Sequence, residues 1–443
     1  MNSFRLLLQT MHPRIWHCRL FLKIRANLWP FSSRADALFT PVNRHSLAGQ
    51  TAHLPLNNTP SRSFWHTVIL PLFCLALFVS CVAEDPDSAE SVPAPETTLK
   101  EAYRDAFLIG TALNSRQISG QDASGQALAI REFNAVTAEN VMKWEVIHPE
   151  PGVYNFEAAD AMVDLAEKNG MFIVGHTLVW HSQTPDWVFH DEEGNRLTRE
   201  ALLERMKEHI DTVVGRYRGR VHGWDVVNEA LLDDGALRET LWYEIIGEDY
   251  LARAFEFAHE ADPGAELYYN DYSLELPEKR EGAIRLVQSL QEQGAPITGL
   301  GTQGHFSLDF PSLENLEATI TGFAGLGVDV MVTELEIDLL PPAFDYLGAD
   351  VEMSAELRDE LNPYADGLPT EVQDQLTERY KEIFGLFLKH QDKISRVTFW
   401  GVTDGDSWKN NWPVPGRTNY PLLFDREGNP KPAYHALIEL AER

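Results

Sequence analysis

Trp224-Asp225-Val226-Val227-Asn228-Glu229-Ala230 carries a short β-branched run, Val226-Val227, that delivers an amide and a carboxylate side by side at its C-terminal end. A strand buried on both faces is apolar along its length, and a polar residue at its tip is the one aimed at a ligand. Val328-Asp329-Val330-Met331-Val332-Thr333-Glu334 has the same form and also ends in a carboxylate, 105 positions on (334 minus 229). A single strand-end acid is as readily a cap or an ion-pair partner, so the pair has to be judged by its surroundings.

Outward from these two stretches the same period repeats. Strand-like segments fall at Ala106–Thr111, Glu132–Thr137, Met171–His176, Val221–Val227, Glu266–Asn270, Gly299–Gln303, Val328–Thr333 and Arg396–Trp400. Helical stretches separate them; Leu202, Met206, Ile210, Val213, Val214 and Tyr217 recur at helical spacing. Thr370 with Gln373 predicts a capping box ahead of a long helix. Eight strands alternating with helices define an α/β chain, either a closed (β/α)8 TIM barrel or a large doubly wound sheet. No Gly-rich phosphate loop follows the first strand, which counts against a nucleotide-binding sheet. The irregular stretch from Leu339 to about Thr370 lies between the seventh and eighth strands, where a connection this long is expected to border a site.

Ahead of this domain, assigned to residues 99–443, the composition changes. Residues 1–62 are polar and basic without a sustained period, and read as a poorly structured or misassigned N-terminal extension. Residues 63–83 hold an apolar run from Val68 to Ala83, too short for a comfortable span and preceded by Arg62, the pattern of a signal peptide. Phe78-Val-Ser-Cys81 is similar to a lipobox, so Cys81 is a lipidation site or cleavage follows Ala83. Residues 84–98 form an acidic linker rich in Pro, Ser and Ala. The expectation is a secreted or cell-envelope protein, touching membrane only through a lipid anchor at Cys81, and a monomer. Residues 1–80 contain eight of the 37 basic residues and one of the 67 acidic ones, so the rest carries 29 basic and 66 acidic residues, a net charge of −37. So acidic a body argues against nucleic acid as a partner. The three cysteines, Cys18, Cys74 and Cys81, all precede the domain, which therefore has neither disulfide nor thiolate metal site.

In a barrel the strand tips meet on one face. Here they offer Glu139, Asn140, Lys143 and Trp144 after the second strand, and His176, Trp180, His181 and Gln183 after the third. The fourth offers Asn228 and Glu229, the fifth Asn270, Asp271 and Tyr272, the sixth Gln303 and His305. The seventh adds Glu334 and Glu336, and the eighth Trp400, with Trp408 in the loop beyond. Stacking tryptophans beside amides and charges suit pyranose rings, which present an apolar face and a fringe of hydroxyls. Two other readings compete. His176, His181 and His305 could ligate a metal with one of the glutamates, but their spacing matches no HExxH-type motif and leaves the tryptophans unexplained. Lys143, four residues after Glu139, could instead form a local helical pair with it.

Phe133–Glu145, Gly175–Trp187, Trp224–Ala230, Tyr269–Tyr272, Gly301–His305, Val332–Asp338 and Thr398–Gly401 together resemble glycoside hydrolase family 10, the endo-β-1,4-xylanases, in the right order across about residues 100–440. The resemblance implies a TIM barrel, xylan and xylo-oligosaccharides as partners, retention of anomeric configuration, and no cofactor or metal. It implies Glu229 as acid/base and Glu334 as nucleophile, with Glu139, Asn140, Lys143, His176, Trp180, Gln183, Asn228, Gln303, His305, Trp400 and Trp408 lining the glycone subsites. Tyr272 joins the substrate-binding set from its motif, and Asn228 is expected to bond the sugar 2-hydroxyl. The chain departs from the family pattern at Glu336, where Asp is usual, at Ala138 for Pro and at Gly304 for Ser. Glu336 keeps a supporting role, pairing with His305. A β-1,4- or mixed-linkage glucanase on the same barrel, and a non-catalytic carbohydrate-binding barrel, are the competing functions.

Overall fold

A computed structural model describes residues 97–342 and 359–443. The extension, the signal and all of the 84–98 linker except its last two residues, and the middle of the irregular stretch at 343–358, lie outside the described residues. Among the described residues nine strands form: β1 (Leu108–Leu113), β2 (Ala135–Ala138), β3 (Phe172–Val179), β4 (Gly223–Asn228), β5 (Glu266–Asp271), β6 (Gly299–Thr302), β7 (His305–Ser307), β8 (Asp329–Asp338) and β9 (Ile394–Phe399). All pairings between them are parallel, β1 pairs with both β2 and β9, and β6 pairs with β8, so eight strands close into a barrel with helices between them. Each of the eight strand-like segments of the sequence falls on one of these eight.

The short β7 was not legible as a strand. It pairs only with the outer half of β8, through His305↔Glu336, Phe306↔Ile337 and Ser307↔Asp338. That extra ladder lengthens β8 beyond Thr333, so Glu334 lies inside the strand rather than at its end. Side chains two apart share a face, which puts Glu334 and Glu336 on one side and sends Leu335 into the core. The capping box expected at Thr370 is also corrected. The helix Thr370–Lys389 starts one residue earlier in register, with Pro369 at its N-cap and no side-chain cap. The helix Arg199–Arg216 buries Leu202, Met206, Ile210, Val213 and Val214 completely, as their spacing predicts.

Val174, Tyr268 and Met331, from β3, β5 and β8, form a cluster separate from the main core. Inward side chains from alternate strands layer the interior of such barrels. Neighbouring strands make room for bulk by losing it. Tyr268 lies over Gly223 and Gly299 on its two flanking strands, and the Trp224 ring covers Gly175, its ladder partner on β3. A Cβ at Gly175 would overlap that ring. Gly175→Ala is therefore expected to cost about 1–3 kcal/mol of stability by overpacking, read as a lower urea midpoint at unchanged slope.

Candidate active site

Three ladders slip register just below the barrel mouth: β3–β4 between His176 and Val179, β4–β5 between Asp225 and Val227, and β8–β9 between Val332 and Leu335. Bulges re-aim the side chains that follow. Just beyond the tips of β3, β4 and β5, Gln183, Glu229 and Ser273 adopt left-handed backbone, with φ of 47°, 58° and 51°. For a glutamate this costs on the order of 1 kcal/mol and persists only where the surroundings enforce it. At Glu229 the enforcement comes from β5. Glu229 N donates to Asn270 O at 2.9 Å, Ala230 N to the Tyr269 hydroxyl at 3.1 Å, and Leu231 N to Asp271 Oδ2 at 3.2 Å.

The two candidate acids are joined by amide side chains. Gln303 Nε2 donates to Glu229 Oε1 at 3.0 Å and to Asn228 Oδ1 at 3.4 Å. Asn270 Nδ2 donates to the same Asn228 oxygen at 3.0 Å and to Glu334 Oε1 at 2.9 Å. Asn270 is itself fixed by the Thr333 hydroxyl, 2.6 Å from its Oδ1. With its oxygen held by two donors, Asn228 keeps its Nδ2 without a protein acceptor among the described residues. The second oxygen of Glu229 accepts from Trp180 Nε1 at 2.9 Å. Glu229 is 8% exposed and Glu334 5%, so both are buried yet reach the surface of the mouth.

Glu334 is controlled by a histidine between two carboxylates. His305 Nε2 lies 3.2 Å from Glu334 Oε2 and its Nδ1 3.0 Å from Glu336 Oε1. Glu336 is fully buried and also accepts from Trp408 Nε1 at 2.7 Å and Ser407 Oγ at 3.3 Å. Glu336 thus reaches the histidine, as its expected supporting role requires. Burial disfavours a charge on His305, but the hydrogen bonds to Glu334 and Glu336 and their charges outweigh it, raising the imidazole to about 9. Burial likewise pushes the Glu334 carboxyl up. The His305 hydrogen bond and the charges of His176, His305 and Lys143 overcome it and hold the group below the usual carboxylate range.

The remaining sequence candidates fall around this centre. His176 is buried, with Nδ1 2.8 Å from Asp225 Oδ2, and Trp400 meets it edge-on at 5.4 Å. Trp400 also meets His305 edge-on, and Trp408 stacks on Trp412 at 4.9 Å. The local helical pair considered for Lys143 does not form, because residues 139–143 are bends and a turn rather than a helix. Lys143 Nζ instead bonds Asn140 Oδ1 at 3.0 Å and Gln183 Oε1 at 2.9 Å, and lies 5.1 Å from the Trp180 ring centre. Burial lowers the Lys143 ammonium in spite of the opposing charges of Glu139, Glu334 and Glu229. Burial raises the Glu139 carboxyl, which Lys143 only partly offsets. Tyr272 stands at the edge, its hydroxyl 2.9 Å from Arg238 Nη2. His181 is partly buried behind this surface, and desolvation and the Arg238 charge pull it down to about 3.

Sequence reasoning placed Asn270 among the strand tips without giving it a role, and left Asp225 and Thr333 out of the site. Asp225 had a usable signal: a charged side chain within an apolar strand calls for a partner.

A barrel whose mouth joins two buried glutamates through amides, beside a ring of tryptophans, defines a glycosidase site. The chain belongs to glycosyl hydrolase family 10, whose sequence profile matches residues 98–440. It is 46% identical over 373 residues to Endo-1,4-beta-xylanase A of Xylanibacter ruminicola, covering 84% of this chain and 99% of the relative. It is 44% identical to Beta-1,4-xylanase of Dictyoglomus thermophilum, covering 84% and 97%. A solved GH10 endoxylanase retrieved from sugarcane soil metagenome superposes with TM-score 0.74 at 47% identity, covering 78% of this chain and 99% of that one.

The raised His305 has a direct consequence for stability. A group whose pKa rises on folding stabilises fully below its unfolded value and loses that contribution as pH climbs through its folded value. The stability supplied by His305 is therefore whole below about pH 6.5 and is lost as pH rises through about 9. Urea unfolding of His305→Gln across this range is expected to lack the decline that the parent protein shows.

Proposed function

We propose that the chain is an endo-1,4-β-xylanase that cleaves internal bonds of xylan by retaining double displacement. The observation that carries this reading is the pair of glutamates joined through Gln303, Asn228 and Asn270, one of them paired with a cationic histidine. Two neighbouring carboxyls take separate roles when their surroundings hold one of them ionised. Glu334, ionised beside His305, attacks the anomeric carbon. The bond from that carbon to the glycosidic oxygen breaks, and the oxygen takes the proton of Glu229. Water then adds to the same carbon, its proton passes to Glu229, and the ester to Glu334 breaks. Double displacement requires carboxyl groups roughly 5–5.5 Å apart, against about 6.5–9.5 Å for inversion. The unoccupied donor of Asn228 suits the sugar 2-hydroxyl, whose hydrogen bond strengthens at the transition state.

Lys143, Asn140, Glu139, Gln183 and His176 offer donors and acceptors for the hydroxyl fringe, and Trp400 and Trp408 offer faces and edges for the ring. Xylan is too large to cross a cell membrane, and the apolar run ending at Ala83 supports export of a monomer, by cleavage there or lipidation at Cys81.

Glu334→Ala is expected to lower turnover of xylan by about 10⁴-fold or more, since it removes the nucleophile. Azide should restore Glu229→Ala on activated aryl xylobiosides and yield the β-azide. Proton NMR of early product should show the β-anomer. An early α-anomer would overturn retention, and faster cleavage of aryl cellobioside than of aryl xylobioside would favour the glucanase reading.

A further inference from the structure

The N–H side of the turn at 229–231 is held by β5, and its carbonyl side is held by one residue. Arg238 donates to three consecutive carbonyls: its Nε to Glu229 O at 3.2 Å, its backbone N to Ala230 O at 2.7 Å, and its Nη2 to Leu231 O at 3.1 Å. The arginine is presented by the hairpin that returns from Leu231 to Leu237. Its guanidinium is located in turn by the Tyr272 hydroxyl, 2.9 Å from Nη2. The Tyr272 ring lies 3.3 Å from the ammonium of Lys279, which pairs with Asp271 Oδ1 at 2.9 Å. Lys279 and Asp271 are both fully buried. Asp271 closes the circuit, because its other oxygen accepts from Leu231 N. The left-handed backbone at Glu229 therefore sits inside a ring of charges that the reaction itself does not use.

We infer that Arg238 is a positioning residue for proton transfer: by capping the carbonyls of Glu229, Ala230 and Leu231 it fixes where the Glu229 carboxyl meets the leaving oxygen. The guanidinium bonds backbone, not the carboxyl, so its part is placement. Lysine, with one point of charge, cannot span the same carbonyls. The inference rests on Glu229 being the acid/base. It predicts a defect confined to steps in which Glu229 moves a proton, leaving attack by Glu334 intact.

Leaving-group dependence separates this from a structural role. Dinitrophenoxide departs without protonation, whereas phenoxide and a sugar hydroxyl need it. For Arg238→Ala, kcat/KM on phenyl β-xylobioside and on xylan is expected to fall about 100-fold, and on dinitrophenyl β-xylobioside by less than about threefold. Turnover of the dinitrophenyl glycoside, limited by base-assisted release of the glycosyl-enzyme, should fall and be partly restored by azide with β-azide as product. Arg238→Lys should recover only part of the loss. Equal losses on both aryl glycosides, or no loss on either, overturn the inference. Tyr272→Phe removes the acceptor that locates the guanidinium and should show the same bias at a smaller size. If Arg238→Ala fails to fold, equal losses in Tyr272→Phe overturn it as well. A parent protein inactive on both glycosides would instead overturn the xylanase reading, so the two failures are distinguishable.

Discussion

The ladder between β6 and β8 is the constraint on which the rest depends. Gly299 to Thr302 pair with Asp329 to Val332 and close the sheet on itself, passing over the intervening β7. Without that ladder the tips of β4 and β8 would be separated along an open edge by β3, β2, β1 and β9. Closure turns their side chains toward a common axis, and only then can Asn270 on β5 and Gln303 just past β6 reach acids on either side. The interior that closure creates must be filled, and Tyr268 over two glycines does much of that filling.

Within the closed barrel the two glutamates are supported differently. Glu334 lies within β8, at its slip against β9, and is addressed from its side chain, by Asn270 and His305. Glu229 lies past the end of its strand in a backbone conformation that glutamate does not prefer, and is addressed from its main chain on both sides. In the proposed mechanism Glu334, as nucleophile, has to stay ionised, and its contact with His305, itself held by Glu336, serves that. Glu229, as the proposed acid/base, must both give and take a proton, and its side-chain partners, Trp180 and Gln303, are neutral donors that impose no net charge.

Most of the fold was legible because barrel strands announce themselves as apolar runs, and all eight did. The two acids were legible as a pair, each at the end of an apolar run among tryptophans and amides, where either alone would read equally as a cap or an ion-pair partner. The rest was hidden by non-local pairing. β7 spans three residues and becomes a strand only because Glu336 to Asp338 run beside it. Thr370 and Gln373 satisfy the local pattern of a capping box, but the helix begins at Thr370 itself, after Pro369. Lys143 was ambiguous because spacing alone cannot distinguish a helical turn from a bend; its partners Asn140 and Gln183 decide it. Asp225 was read past because it sits inside a strand, and Asn270, read as a strand tip, had no role, since polarity shows its purpose only once the partners His176 and Glu334 are in place.

The contact between Gly175 and Trp224 also bears on inheritance. The indole occupies the volume that a side chain on β3 would need, and it is buried on all sides. Neither position can therefore change by a single step without overlap or a void. Across relatives the two are expected to vary as one unit, with a larger residue at 175 accompanied by a smaller one at 224. Since Trp224 lies on β4, which ends just before Glu229, and meets Tyr217 at the end of the helix Arg199–Arg216, such a paired exchange would repack that strand against its helix without altering any candidate sugar-binding residue.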